Sequence, residues 1–154
     1  MSSAGRKYLI FSFSGDLYAF ELSQVAEVCE PQPLWPIPAV PPCYRGAMNF
    51  HGAIVAVMDL AAFMGLPEQR DTEKLIVLHG GIAALAFLVE RVVRIVSTGQ
   101  VETQNSTGKP FACGQIALPE GRVTLLDAHA IAEQATLSII SQIIAPQPLA
   151  SRNA

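Results

Sequence analysis

The chain has 154 residues, 51% of them hydrophobic and only 15% charged, with a formal net charge of −3. Soluble proteins average roughly 25% charged residues, so either the core is large or some apolar surface is meant for partners. The scattered Lys and Arg offer no basic face for nucleic acid. The longest apolar run, Ile82 to Val89, is eight residues, far short of the ~18 needed to cross a bilayer; with no signal-peptide core after Arg6 and Lys7, a cytoplasmic location is expected.

In chain order, Met1 to Arg6 is expected to be disordered. Lys7 to Ser14 alternates, with Tyr8 and Ile10 on one face and Leu9, Phe11 and Phe13 on the other, which predicts a strand buried on both sides. Gly15-Asp16 supplies a turn and Leu17 to Phe20 the return strand. Glu21 to Gln24 reads as a bend or one helical turn. Val25 to Glu30 resumes as a strand, with Val25, Glu27 and Cys29 on one side and Ala26 and Val28 on the other. Pro31 to Pro42 holds six of the 11 prolines and so predicts a stiff crossover, pinned to the body by Trp35 and Ile37.

Tyr44 to Phe50 and Ala53 to Met58 are strand-length apolar runs joined by His51-Gly52, a tight hairpin. Asp59 sits where it can cap a helical turn that Gly65 and Pro67 end. Lys74 to His79 and Ile82 to Val89 read as a hairpin around Gly80-Gly81, and Val92 to Ser97 as a further strand. Thr98 to Pro110 is a polar loop. Phe111 to Leu118 and Arg122 to Leu126 form the last hairpin. Ala128 to Ile144 reads as a helix with Ile131, Ala135 and Ile139 on one face, before Pro146 and Pro148. The tail 145–154 is expected to be disordered.

The chain repeats itself. Asp127 lies 68 residues after Asp59, and the same offset aligns Gly114 with Gly46, Val123 with Val55, Leu88 with Phe20 and Val93 with Val25. Two related β modules of this size suit small barrels rather than a solenoid.

Little in the sequence looks catalytic. Neither Asp59-Leu60-Ala61 nor Asp127-Ala128-His129 has the small hydroxyl residue and glycine that a paired-carboxylate protease needs. The three histidines lack metal spacing, there is no phosphate loop or nucleophile elbow, and the three cysteines read as free thiols. No cofactor, metal site or enzymatic activity is expected. Glu27 and His51 are the informative polar residues: they are either two solvated side chains or they meet at a partner-binding surface.

Two segments carry a resemblance: YLIFSFSGDLYAFELSQVAEV (residues 8–28) and, after the proline-bearing crossover, PPCYRGAMNFHGAIVAVMDLAAFMG (residues 41–65). They resemble the CheW family of chemotaxis coupling proteins, whose pattern here is a Gly, N-x-R-G, a valine-rich strand with a Pro, and Asp-Leu-Arg. This chain keeps Gly46, Asn49, Gly52, Asp59 and Leu60; His51 replaces the hairpin arginine, Ala56-Val57-Met58 the segment with the proline, and Ala61 the arginine after Asp-Leu. The resemblance implies a mainly β fold of two five-stranded SH3-like barrels sharing an apolar core, with a late helix, over residues 7–140. It implies a non-catalytic adaptor whose partners are the regulatory domain of a CheA-type histidine kinase and the tip of a methyl-accepting chemoreceptor. Val25, Glu27 and Gly46 match positions of receptor coupling, and Asn49, His51 and Gly52 match the hairpin tip. The His51 departure marks a divergent member, since histidine lacks the permanent charge and the fork of arginine. The alternative is a small-molecule sensor with its ligand in a groove between the barrels near Trp35 and His51.

Overall fold

A computed structural model describes residues 5–99, 101 and 108–144, the side chains of 141–144 excepted. Ten strands and two helices follow in order: β1 (Arg6–Phe13), β2 (Asp16–Glu21), a 3-10 turn (Leu22–Gln24), β3 (Val25–Cys29), β4 (Tyr44–Phe50), β5 (Ala53–Asp59), α1 (Leu60–Phe63), β6 (Lys74–Leu78), β7 (Leu85–Val89), β8 (Arg91–Thr98), β9 (Ala112–Leu118), β10 (Gly121–Leu126) and α2 (Ala128–Ile144). They form two five-stranded sheets, β8-β1-β2-β10-β9 and β3-β6-β7-β5-β4. The mainly β, SH3-like class read from the sequence holds, with one qualification. The hydrogen-bond ladders do not close into barrels; β8 and β9 remain the edges of one sheet, β3 and β4 of the other.

The apolar pattern explains the layering. On β1, Tyr8 and Ile10 enter a core inside the first sheet with Val96, Ile116 and Val123, while Leu9, Phe11 and Phe13 enter a larger core between the sheets. Met48, Val55, Val57, Leu75 and Val77 fill the inside of the second sheet. The shared core holds Tyr18, Phe20, Phe87 and Leu60, with Phe13 and Tyr18 stacked at 4.1 Å. Strands loaded on both faces therefore separate three cores, which accounts for the low charge content. Helix α2 lays Ala128, Ile131 and Ala135 on the shared core, as their spacing predicts.

The two repeats do not each form a sheet of their own. Hairpin β1–β2 belongs to the first repeat and pairs with β8 and β10 of the second; hairpin β6–β7 belongs to the second and pairs with β3 and β5 of the first. Each sheet thus draws on both repeats. The parallel contacts β2–β10 and β5–β7 are where the exchange is made. The symmetry reaches single bonds: Asp59 N donates to Cys43 O at 2.9 Å and, 68 residues on, Asp127 N donates to Phe111 O at 2.9 Å. Both aspartates cap as expected, accepting from Ala62 N and Ala130 N at 3.1 Å.

Several local readings shift. The first turn is Ser14-Gly15, both at positive φ, so Asp16 opens β2 opposite Phe13. The β6–β7 connection is longer than Gly80-Gly81: His79 O accepts from Ile82 N, and strand pairing resumes only near Leu85. A bulge at Ala26 in β3 breaks the predicted alternation. Val25 and Val28 both pack on the shared core and Cys29 on the core inside the second sheet, so Glu27 does not share a face with Val25. The cysteines are free and half-buried. The expected tails and most of the predicted loop lie outside the described residues, although Arg6 already opens β1.

Candidate functional site

The candidate residues gather on the second sheet, along the gap between its edges β3 and β4. The β4–β5 turn is a two-residue turn with His51 at φ 51° and Gly52 at φ 87°, the type I′ geometry whose twist matches the flanking strands. Asn49 Oδ1 fixes it by accepting from Gly52 N at 3.0 Å. The turn holds His51 out toward β3, and its Nε2–H donates to Glu27 Oε1 at 3.2 Å. The two residues that the sequence singled out therefore meet, joining strands that share no backbone hydrogen bond. Phe50 supports the imidazole edge-on at 4.4 Å between ring centres. Lower in the gap, Gln32 Nε2 lies 2.8 Å from Met48 Sδ.

The first sheet is spanned in the same way. Arg94 on β8 holds Glu120, in the β9–β10 turn, through two hydrogen bonds of 2.7 and 3.0 Å. This guanidinium pulls the Glu120 carboxyl down to about 2. Arg94 lies 67 residues after Glu27 and Glu120 lies 69 after His51, so the repeat places a clasp at equivalent points with the signs exchanged. Side chains, not ladders, bring the edges of each open sheet together.

The other candidates divide by burial. Val25 is half-buried against the shared core. Gly46 is buried, with φ 141°, and a Cβ there would lie 2.4 Å from Trp35 O. It admits the crossover: Trp35 N donates to Ala47 O at 2.9 Å, and Ala47 N to Trp35 O at 2.8 Å. The crossover is thus pinned by Trp35 as expected, but by its backbone; the indole is 58% exposed. Ile54, which faces Asn49 across the hairpin, is 62% exposed. The sequence set Trp35 against the body or beside a ligand groove, and Ile54 did not stand out at all, because one Ile in an apolar strand looks like core.

Below this face, Asp59 is 1% exposed and fully engaged. Besides the cap it accepts from Gln69 N at 3.0 Å, from Gln69 Nε2 at 2.7 Å and from Arg45 Nη2 at 3.4 Å, and Arg45 also pairs with Glu68 at 2.9 Å. This network ties the loop after α1 to β4 and commits the carboxylate to structure. Among the described residues no cluster of three His, Cys, Asp or Glu is arranged to hold a metal ion. Two open clefts, of about 460 and 420 Å3, lie against α2, one lined by Asp127, His129 and Glu133 and the other by Pro41, Arg45, Phe63 and Phe111. Trp35 and His51 line neither. No helix of the described residues is long and apolar enough to cross a membrane.

Two SH3-like sheets that exchange hairpins, each with its edges joined by a side-chain pair, define the fold of a small β module. The sequence profile of the CheW-like domain matches residues 7–136, and the chain belongs to that family. It is 23% identical over 138 residues to a chemotaxis protein CheW of Bacillus subtilis, covering 84% of this chain and 88% of that one. It is 24% identical over 144 residues to the CheW of Thermotoga maritima, covering 89% and 95%. The crystal structure of the scaffolding protein TtCheW from Thermoanaerobacter tengcongensis superposes with a TM-score of 0.74 at 20% identity, over 82% of this chain and 92% of that one.

Proposed function

We propose that this chain is a non-catalytic adaptor that couples a chemoreceptor to a CheA-type histidine kinase, acting in the cytoplasm as a divergent member of its family. The observation that carries the reading is the family match over residues 7–136; relatives of nearly the same length carry the name chemotaxis protein CheW. The functional unit spans residues 7–140. Docking uses Val25, Glu27, Gly46, Asn49, His51 and Gly52, with the Glu27–His51 bond at 3.2 Å in the middle of the surface. The divergence lies in His51 and Ala61, which stand where the pattern that the sequence resembles has arginine; Asp59 takes its guanidinium partner from Arg45 on β4.

The adaptor reading is preferred to a small-molecule sensor with its groove near Trp35 and His51 because the family match spans residues 7–136 and relatives matched over most of their length are named chemotaxis protein CheW. Sedimentation of the purified chain with the kinase regulatory domain and with a receptor signalling fragment tests it. Complexes are expected at micromolar concentration; no association with either partner at tens of micromolar overturns the reading.

A further inference from the structure

Gly46 stands among the candidate docking residues, yet it is buried, so a partner cannot touch it. Whatever it does for docking, it does through a neighbour. Its φ of 141° is a conformation that side-chain-bearing residues rarely adopt, and an added Cβ would meet Trp35 O at 2.4 Å and Leu34 Cβ at 2.9 Å. Any other residue there pushes the Trp35 backbone away from Ala47 and breaks the paired bonds of 2.9 and 2.8 Å.

Those two bonds matter because of how the β4–β5 hairpin is held. β5 pairs with β7 only from Ala56 to Asp59, whereas the hairpin runs on to its turn at His51-Gly52. From Met48 to Val55 the two strands ladder only with each other. Met48 and Val55 pack inside the sheet, but apolar burial is non-directional and does not set the swing of this outer half toward β3. Three fastenings do. They are the Trp35–Ala47 backbone pair, Gln32 Nε2 against Met48 Sδ at 2.8 Å, and the Glu27–His51 bond at 3.2 Å. Only the first is a pair of backbone bonds. The second ends on a thioether, a weak acceptor. The third is exposed on both sides and contributes about 1 kcal/mol at most. The crossover backbone adds no bridge further out: the antiparallel register of Trp35 on Ala47 sets Pro33 opposite Asn49, and proline has no N–H to donate. Beyond Gly46, then, the crossover backbone meets the hairpin at one bridge among the described residues. Glu27 is fixed from the other side, by its pairing with Val77 on β6, so β3 does not follow the hairpin. The swing of the hairpin decides whether His51 reaches Glu27.

We propose that Gly46 is a positioning residue for the Glu27–His51 pair: it admits the Trp35–Ala47 bridge, and the bridge holds the hairpin where His51 meets Glu27. Gly46 then serves docking without touching a partner. That part rests on the adaptor reading and deepens it; the positioning of the pair does not depend on any partner.

The NMR signals of the His51 ring, read at one fixed pH, report the pair in the free protein. Glu27→Gln should shift them in the wild-type background. In Gly46→Ala and in Trp35→Pro the same substitution should shift them by less than about half as much. Trp35→Pro removes the N–H that donates to Ala47 O and leaves Gly46 in place. Trp35→Ala keeps both backbone bonds and should leave the response as in the wild type. An unchanged response in Gly46→Ala or in Trp35→Pro overturns the proposal. So does a response lost equally in Trp35→Ala, which would make the indole the fastening. If Gly46→Ala does not fold, Trp35→Pro and Trp35→Ala decide by the same results. Binding of a receptor signalling fragment tests the docking part. Gly46→Ala should weaken it about 10-fold, but less than about 2-fold in a Glu27→Gln background. An equal loss in both backgrounds refutes action through the pair. If the wild-type chain binds no fragment, the receptor part of the adaptor reading fails, while the ring signals still decide the positioning.

Discussion

Tyr44 puts a phenol into the shared core without giving its hydroxyl a partner among the described residues. Burial pushes its pKa up to about 12, because the phenolate would have to shed its water. A folded-state pKa above the unfolded one gives stability that is intact below about pH 10 and lost as pH rises toward about 12. Tyr44→Phe removes both the unmet hydroxyl and this liability. It is expected to raise stability by about 1 kcal/mol at neutral pH and to soften the alkaline decline. Urea unfolding of both proteins at pH 8 and pH 11 measures this; a variant less stable than wild type at pH 8 would mean that the hydroxyl has a use. Some alkaline decline should remain, since burial also raises Tyr8. At this scale the sequence was informative where chemistry is local. Asp59 and Asp127 precede helical turns and cap them, and His51-Gly52 makes the turn its residue types favour. It placed Trp35 as a pin of the crossover but not its indole in water; the close approach of the Trp35 backbone to a glycine eleven positions away is a tertiary matter.

At the scale of elements, open sheets with clasped edges replace closed barrels. The Glu27–His51 clasp is exposed on both sides, and such pairs contribute about 1 kcal/mol at most. Its value lies in fixing the hairpin against β3. The Arg94–Glu120 clasp is the better-formed one, and its sign gives a test. A depressed carboxyl pKa means a contribution present above the ordinary carboxylate range, which falls away as pH drops from about 4.5 toward 2. Carboxyl-carbon NMR should place the Glu120 midpoint near 2 in wild type and return it to roughly 4.3 in Arg94→Gln; equal midpoints would mean that the clasp is absent in solution. Strand existence was readable from alternation. The bulge at Ala26 was not, because nothing in VAEVC marks an extra residue; the bulge is set by register against β6, and it moves Glu27 off the face of Val25.

At the scale of the molecule, the exchange of hairpins makes the halves interdependent. Fragments 1–71 and 72–154 each hold one repeat, yet each sheet needs strands of both. Neither fragment should fold alone, and mixing them should restore β-sheet circular dichroism and a cooperative transition. Two independently folded fragments would contradict the exchange. The same construction leaves four sheet edges among the described residues, β8 and β9 in one sheet and β3 and β4 in the other.

The sequence by itself determined most of the strands, the caps, the repeat and the residue types of the β4–β5 turn, because these depend on periodicity and on bonds a few residues long. Only the tertiary structure decided which repeat each hairpin joins, that the ladders stay open, and which apolar side chains face water. Those outcomes follow from long-range register and close approach, such as Trp35 O against Gly46, and a pattern of apolar residues reads the same whether its partner strand is its neighbour in sequence or sixty residues away.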